Sequence, residues 1–175
     1  MNQRSAYGEQ SEAGGYLLSE IANLEKECFS DAWSEQSIEQ TLGKEYNLLV
    51  FAGVDKSGNL FEKTIFGGTD FQARLAKIGK NECEFVGYMI ANVIGDESEL
   101  LRIAVVPAKR KMHAGCRLLK KYLKNTNAAS YFLEVRAGNI PARGLYEKLG
   151  YEAIHVRKGY YQNPVEDAVV YRLKF

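Results

Sequence analysis

Helical spacing is the first regular signal in the chain. Leu17, Leu18, Ile21, Leu24 and Cys28 recur as one apolar stripe. Residues 1–15 before them are polar and glycine-bearing and are predicted to form a flexible tail. A second helix follows in FSDAWSEQSIEQTLG, where Ser34 is placed to cap and Trp33 to pack on Ile38 as a hydrophobic staple. Gly43 is expected to end it. Residues 47–54 read as a buried strand. Between 55 and 82 the pattern is looser: SGN signals a turn, LFEKTIF alternates like a strand, and Phe71, Leu75 and Ile78 suggest a short helix ending at Gly79.

The second half is more regular. Residues 85–94 and 100–105 are apolar runs separated by GDESE, the pattern of an antiparallel hairpin. A helix is predicted over 113–124, with Leu118, Leu119, Tyr122 and Leu123 on its apolar side, and a strand over 131–135. Asn139 caps a further helix that carries Pro141 in its first turn and stops at Gly150. Strands over 151–156 and 168–173 close the chain. The order implies an α/β domain spanning 16–175, with a mixed, mostly antiparallel sheet flanked by helices.

Composition narrows the class. The 175 residues are 46% hydrophobic and 26% charged, ordinary for a globular domain. With 23 Lys and Arg against 22 Asp and Glu, the net charge of +1 excludes a polyanion binder that works by bulk charge. Three widely spaced cysteines form neither a disulfide framework nor a metal knuckle, and two histidines argue against a His-rich metal site. No apolar run approaches the roughly 18 residues of a membrane span, and the N-terminus has no hydrophobic signal core. A cytoplasmic setting, no metal, and no direct nucleic-acid or membrane partner are therefore expected.

Three stretches have residues suited to chemistry. In LLRIAVVPAKRKMHAGCRLL a strand passes through a basic turn into a helix whose N-terminus offers unpaired N–H groups, a setting for an anion or simply a solvated basic loop. In YFLEV, Glu134 interrupts an apolar strand; it suits either a desolvated base or an ion pair with Arg136 on the same face. Tyr146 lies within the following helix, as a core residue or a proton donor.

With these stretches in view the chain resembles the GNAT-superfamily acyl-CoA N-acyltransferases and, within them, the RimI-type ribosomal-protein alanine N-acetyltransferases. The resemblance is carried by CFSDAWSEQSI, by IAVVP with its turn and helix, and above all by LEVRAGNIPARGLYEKLGY with VRKGYY and EDAVVYRL. Residues 55–82 are unmatched, as an atypical insert. The resemblance implies an acetyl-CoA-dependent transfer to the N-terminal amine of a protein, an alanine of a ribosomal protein foremost. It implies that Ile103, Ala104 and Val105 pair with the pantetheine arm and that the Val105 N–H forms an oxyanion hole. Arg110, Lys111, Met112, His113, Ala114, Gly115 and Cys116 match the pyrophosphate loop and helix start, and Asn139 a further cofactor contact. Glu134 matches the general base and Tyr146 the general acid. Trp33, Tyr160 and Tyr161, with Glu166 and Asp167, match the wall of the peptide site.

Two positions depart from the pattern. His113 replaces the first glycine of the loop, where a side chain reaches the left-handed region only at some cost, and Ala32 stands where the subgroup has proline before tryptophan. Other readings are an acetyltransferase for another protein or a small amine, a CoA-binding module impaired at His113, and a ribosome- or RNA-docking helix in KRKMHAGCRLLKK.

Overall fold

Cap and period signals translate into twelve α-helices and β-strands in the computed structural model, which describes residues 6–79 and 83–175. In chain order these are α1 (Ala6–Cys28), α2 (Glu35–Leu42), β1 (Asn47–Asp55), β2 (Leu60–Phe66), α3 (Phe71–Leu75), β3 (Cys83–Ile94), β4 (Glu97–Val105), α4 (Ala114–Asn125), β5 (Ser130–Arg136), α5 (Ile140–Lys148), β6 (Glu152–Gln162) and β7 (Val165–Lys174). The strands form one sheet in the order β2-β1-β3-β4-β5-β7-β6, with β4 and β5 parallel and the other pairings antiparallel. The α/β architecture, a mixed and mostly antiparallel sheet flanked by helices, is as the pattern predicts.

One face of the sheet packs on α4 and α5 through Leu118, Leu119, Tyr122 and Tyr146, and the other on α1, α2 and α3 through Leu17, Ile21, Ile38 and Leu75. Ser34 caps α2, accepting from the Ser37 N–H at 3.1 Å. Asn139 caps α5 in the same manner, accepting from the Ala142 N–H at 3.3 Å. Gly43 ends α2 in a right-handed conformation, φ −65°, so that stop does not use glycine's left-handed freedom.

Some boundaries move for physical reasons. Helix α1 reaches back to Ala6, into the stretch whose polar composition reads as a tail; AYGEQSEA contains several good helix formers. Residues 1–5 of that stretch lie outside the described residues. The β3–β4 connection is only Gly95 and Asp96, because Glu97 to Glu99 already belong to β4. Ser98 is buried there and bonds both the Asn92 carbonyl and the Tyr122 hydroxyl, so polar sequence here serves a ladder. Strand β6 runs to Gln162, which makes RKGYYQNPVED a long hairpin arm. Residues 55–82, the insert by pattern, supply β2 as an edge strand beside β1, together with α3; Lys80 to Glu82 lie outside the described residues.

Candidate active site

The sheet forks where β4 leaves β5. The two pair only from Glu97–Leu100 against Ser130–Leu133. At that point β4 carries a bulge: Leu100 faces Ala91 and Arg102 faces Ile90, so Leu101 has no opposite residue. Past the bulge β4 has a partner on one edge only among the described residues. The Val106 N–H bonds the Val86 carbonyl on β3 at 2.9 Å, so by alternation the Val105 N–H and C=O face the open edge. Gly87 on β3 lets the ladder close tightly opposite; a Cβ there would lie 2.5 Å from the Ala104 carbonyl oxygen.

A cavity of about 200 Å³ occupies the fork, and Ile103, Glu134, Asn139 and Tyr146 line it. Strand β5 points Glu134 into the cavity with its side chain 21% exposed. Its ion-pair partner is Arg157 on β6, at 2.5 Å, and not Arg136, whose guanidinium pairs instead with Glu166. The Glu134 carboxylate beside it, and then burial, push the Tyr160 phenol up. Tyr146 is 4% exposed, and burial pushes its phenol up as well, with Tyr151 and Tyr161 adding to the effect. No described residue hydrogen-bonds the Tyr146 hydroxyl.

The basic turn lies beyond the open end of β4. Lys111 and His113 both have positive φ, 67° and 60°, and His113 is the N-cap of α4 with its side chain exposed and not capping. The sequence pattern thus locates a backbone that requires the left-handed region, although a histidine occupies it. Gly115 packs in the first turn of α4, where a Cβ would lie 3.3 Å from Leu145. Arg110 donates to the Val105 carbonyl at 3.3 Å and lies 3.5 Å from the Cys28 thiol. Arg117 is turned toward the sheet edge, bonding Glu62 and the Leu60 carbonyl at 2.7 Å, so it is not a spare cation for this loop. Ala104 differs from its neighbours: its side chain is buried on the α1 side, whereas Ile103 and Val105 pack toward α4 and α5.

A second cavity, about 570 Å³, adjoins the fork on its other side. Trp33, Tyr160 and Tyr161 line it together. Glu166 and Asp167 do not. Glu166 accepts from Arg136 and from the Gly138 N–H at 2.6 Å, tying the hairpin to the end of β5, and Asp167 accepts from Lys158 and the Gly159 N–H, holding the β6–β7 hairpin in shape.

Sequence reasoning misses Arg102 and Glu25. Arg102 on β4 lies between the Phe29 and Trp33 rings, 4.7 and 4.9 Å from their centroids, and bonds Asp31 at 2.9 Å. Beside it Glu25, fully buried, accepts from the Trp33 N–H at 2.7 Å and from the Tyr88 hydroxyl. Its one sequence signal is a carboxylate next to Leu24 on a helix that buries its apolar stripe. Among the described residues no cluster of His, Cys, Asp and Glu is arranged to hold a metal ion.

Residues 18–151 match the acetyltransferase (GNAT) family. A [ribosomal protein bS18]-alanine N-acetyltransferase of Haemophilus influenzae is 38% identical over 93 residues, half of this chain and 63% of that protein, so the chain spans less than two thirds of that relative. The counterpart from Salmonella typhimurium is 32% identical over 117 residues, 64% of this chain and 78% of that protein. Among solved structures, the Escherichia coli ribosomal-protein-S18-alanine N-acetyltransferase aligns with a TM-score of 0.64 at 25% identity, covering 90% of this chain and 86% of that one.

Proposed function

The chain belongs to the acetyltransferase (GNAT) family, and from that premise we propose that it transfers an acetyl group from acetyl-CoA to the N-terminal α-amine of a protein, with the alanine of a ribosomal protein as acceptor. One observation carries the reading: a carboxylate, a buried phenol and an unpaired strand edge converge on one cavity at the β4–β5 fork. The names of the relatives supply the acceptor. The cytoplasm, where ribosomal proteins are made, is the corresponding location; no helix among the described residues is long and apolar enough to cross a membrane.

The residues present fit the donor. The open edge at Ile103 and Val105 matches an extended amide-bearing arm. The left-handed Lys111 and His113 bend the backbone ahead of α4, whose N-terminal N–H groups suit a pyrophosphate. Asn139 caps α5 at the fork. Bound acetyl-CoA supplies the acyl group as a thioester, whose carbonyl carbon takes the new C–N bond and whose C–S bond breaks.

The protein's own groups then have defined tasks. An α-amine with a pKa near ~8 gives up its proton more readily than a lysine amine near ~10.4. Glu134 takes that proton, directly or through a water; Arg157 holds the carboxylate in place. The Val105 N–H donates to the carbonyl oxygen as it gains charge. Burial favours the protonated form of the Tyr146 phenol, whose O–H at the cavity donates to the departing sulfur.

The test is turnover against binding. Glu134→Gln is expected to lose about 10²-fold or more in kcat, the scale of general-base loss, while acetyl-CoA still titrates. Tyr146→Phe is expected to lower kcat with little change in thermal stability. Normal rates in both variants would refute the assignment.

A further inference from the structure

The hairpin and the α1–α2 loop are two walls of the second cavity, and one side chain joins them. Arg136, at the end of β5, donates through Nη1 to the Pro164 carbonyl at 3.1 Å and to Glu166 at 3.2 Å. Through Nη2 it donates to the Asn163 carbonyl at 3.0 Å and to the Ser30 hydroxyl at 3.2 Å. Its guanidinium lies 4.1 Å from the centre of the Tyr161 ring. Glu166 extends the connection by accepting from the Gly138 N–H, where the backbone approaches so closely that a Cβ would lie 2.8 Å from the carboxylate. One planar fork thus satisfies acceptors on the hairpin and on the loop after α1, and lines both cavities.

We propose that Arg136 is a positioning residue for the acceptor peptide: it fixes the Tyr160–Tyr161 wall against the α1–α2 loop and so sets the width of the acceptor cleft. The inference rests on the proposed transferase reading for its acceptor, but the clamp itself does not. Lysine cannot substitute. It keeps the charge but lacks the planar fork that reaches two carbonyls and a carboxylate at once.

The experiment compares wild type with Arg136→Lys, Arg136→Gln and, as a milder second route, Ser30→Ala, each checked for folding by thermal denaturation. Hydrogen exchange of the amides at 159–166 reads the clamp without turnover. Steady-state kinetics on an alanine-initial peptide and titration of acetyl-CoA read its consequence. Both Arg136 variants are expected to exchange faster across the hairpin and to raise the peptide KM about tenfold, with kcat at saturation and acetyl-CoA affinity within about twofold of wild type; Ser30→Ala falls between. Unchanged hairpin exchange overturns the clamp, whatever the enzyme does. Faster exchange with unchanged peptide KM, or an equal loss of acetyl-CoA affinity, overturns the positioning role. A wild type that acetylates no peptide, with the hairpin still loosened, would fail the transferase reading and leave the clamp as a purely structural tie, which also overturns the positioning role.

Discussion

Replacing His113 by glycine isolates the point where the chain departs most clearly from its own family pattern. His113 has φ 60° and ψ 12° at the N-cap of α4, and its exposed ring caps nothing. A left-handed residue with a Cβ costs about 1–2 kcal/mol. Glycine relieves that strain but gives the unfolded chain back about 0.5–1 kcal/mol of freedom. At mid-range the balance is a net gain of about 0.75 kcal/mol, or about 1.5–3 °C in Tm for a chain of this size. His113→Ala is the control: it removes the ring and keeps the Cβ, so it is expected to be no more stable than wild type. Thermal and urea unfolding of the three proteins read the stability. Titration of acetyl-CoA reads the second consequence, tighter binding by the glycine variant because its backbone approaches the phosphates unobstructed. Equal stabilisation by alanine would refute the strain argument. Tighter binding by wild type than by His113→Gly would make the ring a phosphate ligand and refute the obstruction argument.

Two further outcomes follow from the charged groups around the site. Glu25→Ala leaves the Trp33 N–H and the Tyr88 hydroxyl without their buried acceptor and Arg102 without one of its two carboxylates. Urea unfolding should show a loss of about 3–5 kcal/mol, whereas Glu25→Gln, which still accepts, should lose clearly less; equal losses would contradict the network. Lys158 and the Gly159 N–H hold the Asp167 carboxyl below its usual range. A depressed folded-state pKa stabilises above the unfolded value near ~3.9, and that contribution is lost as pH falls through the folded value. Asp167→Asn should therefore be less stable than wild type at pH 7, with the difference closing in acid; a gap that persists or widens at low pH would contradict the sign.

Much of the fold was legible because it rests on local rules. The caps at Ser34 and Asn139, the β3–β4 hairpin and the helix after the basic turn are each decided within a few residues. The candidate site was legible in part for a different reason: Glu134, Tyr146 and the 110–116 loop lie in blocks that resemble a family. What could not be read is what the ladder brings together. Glu134 and Arg136 do share a face, as their i, i+2 spacing requires, yet they do not pair. Glu134 reaches Arg157 two strands away, across the β5–β7–β6 pairing, and Arg136 turns to the hairpin end. The acidic pair Glu166 and Asp167 looked free to meet a substrate because their partners, Arg136 and Lys158, lie at other places in the sequence. The polar run at Glu97 to Glu99 hid a strand because only the tertiary fold supplies Ser98 with Tyr122.

The central claim is that the fork acetylates an N-terminal α-amine and not a side-chain amine. It is tested most directly by incubating the protein with acetyl-CoA and two peptides, one beginning with a free alanine and lacking lysine, the other N-terminally blocked with one internal lysine. The products are then located by fragment mass spectrometry. The account predicts a single acetyl group on the alanine amine, dependent on Glu134, and at most slow reaction of the lysine peptide. Equal rates on the two peptides, or acetylation that survives Glu134→Gln undiminished, would contradict it.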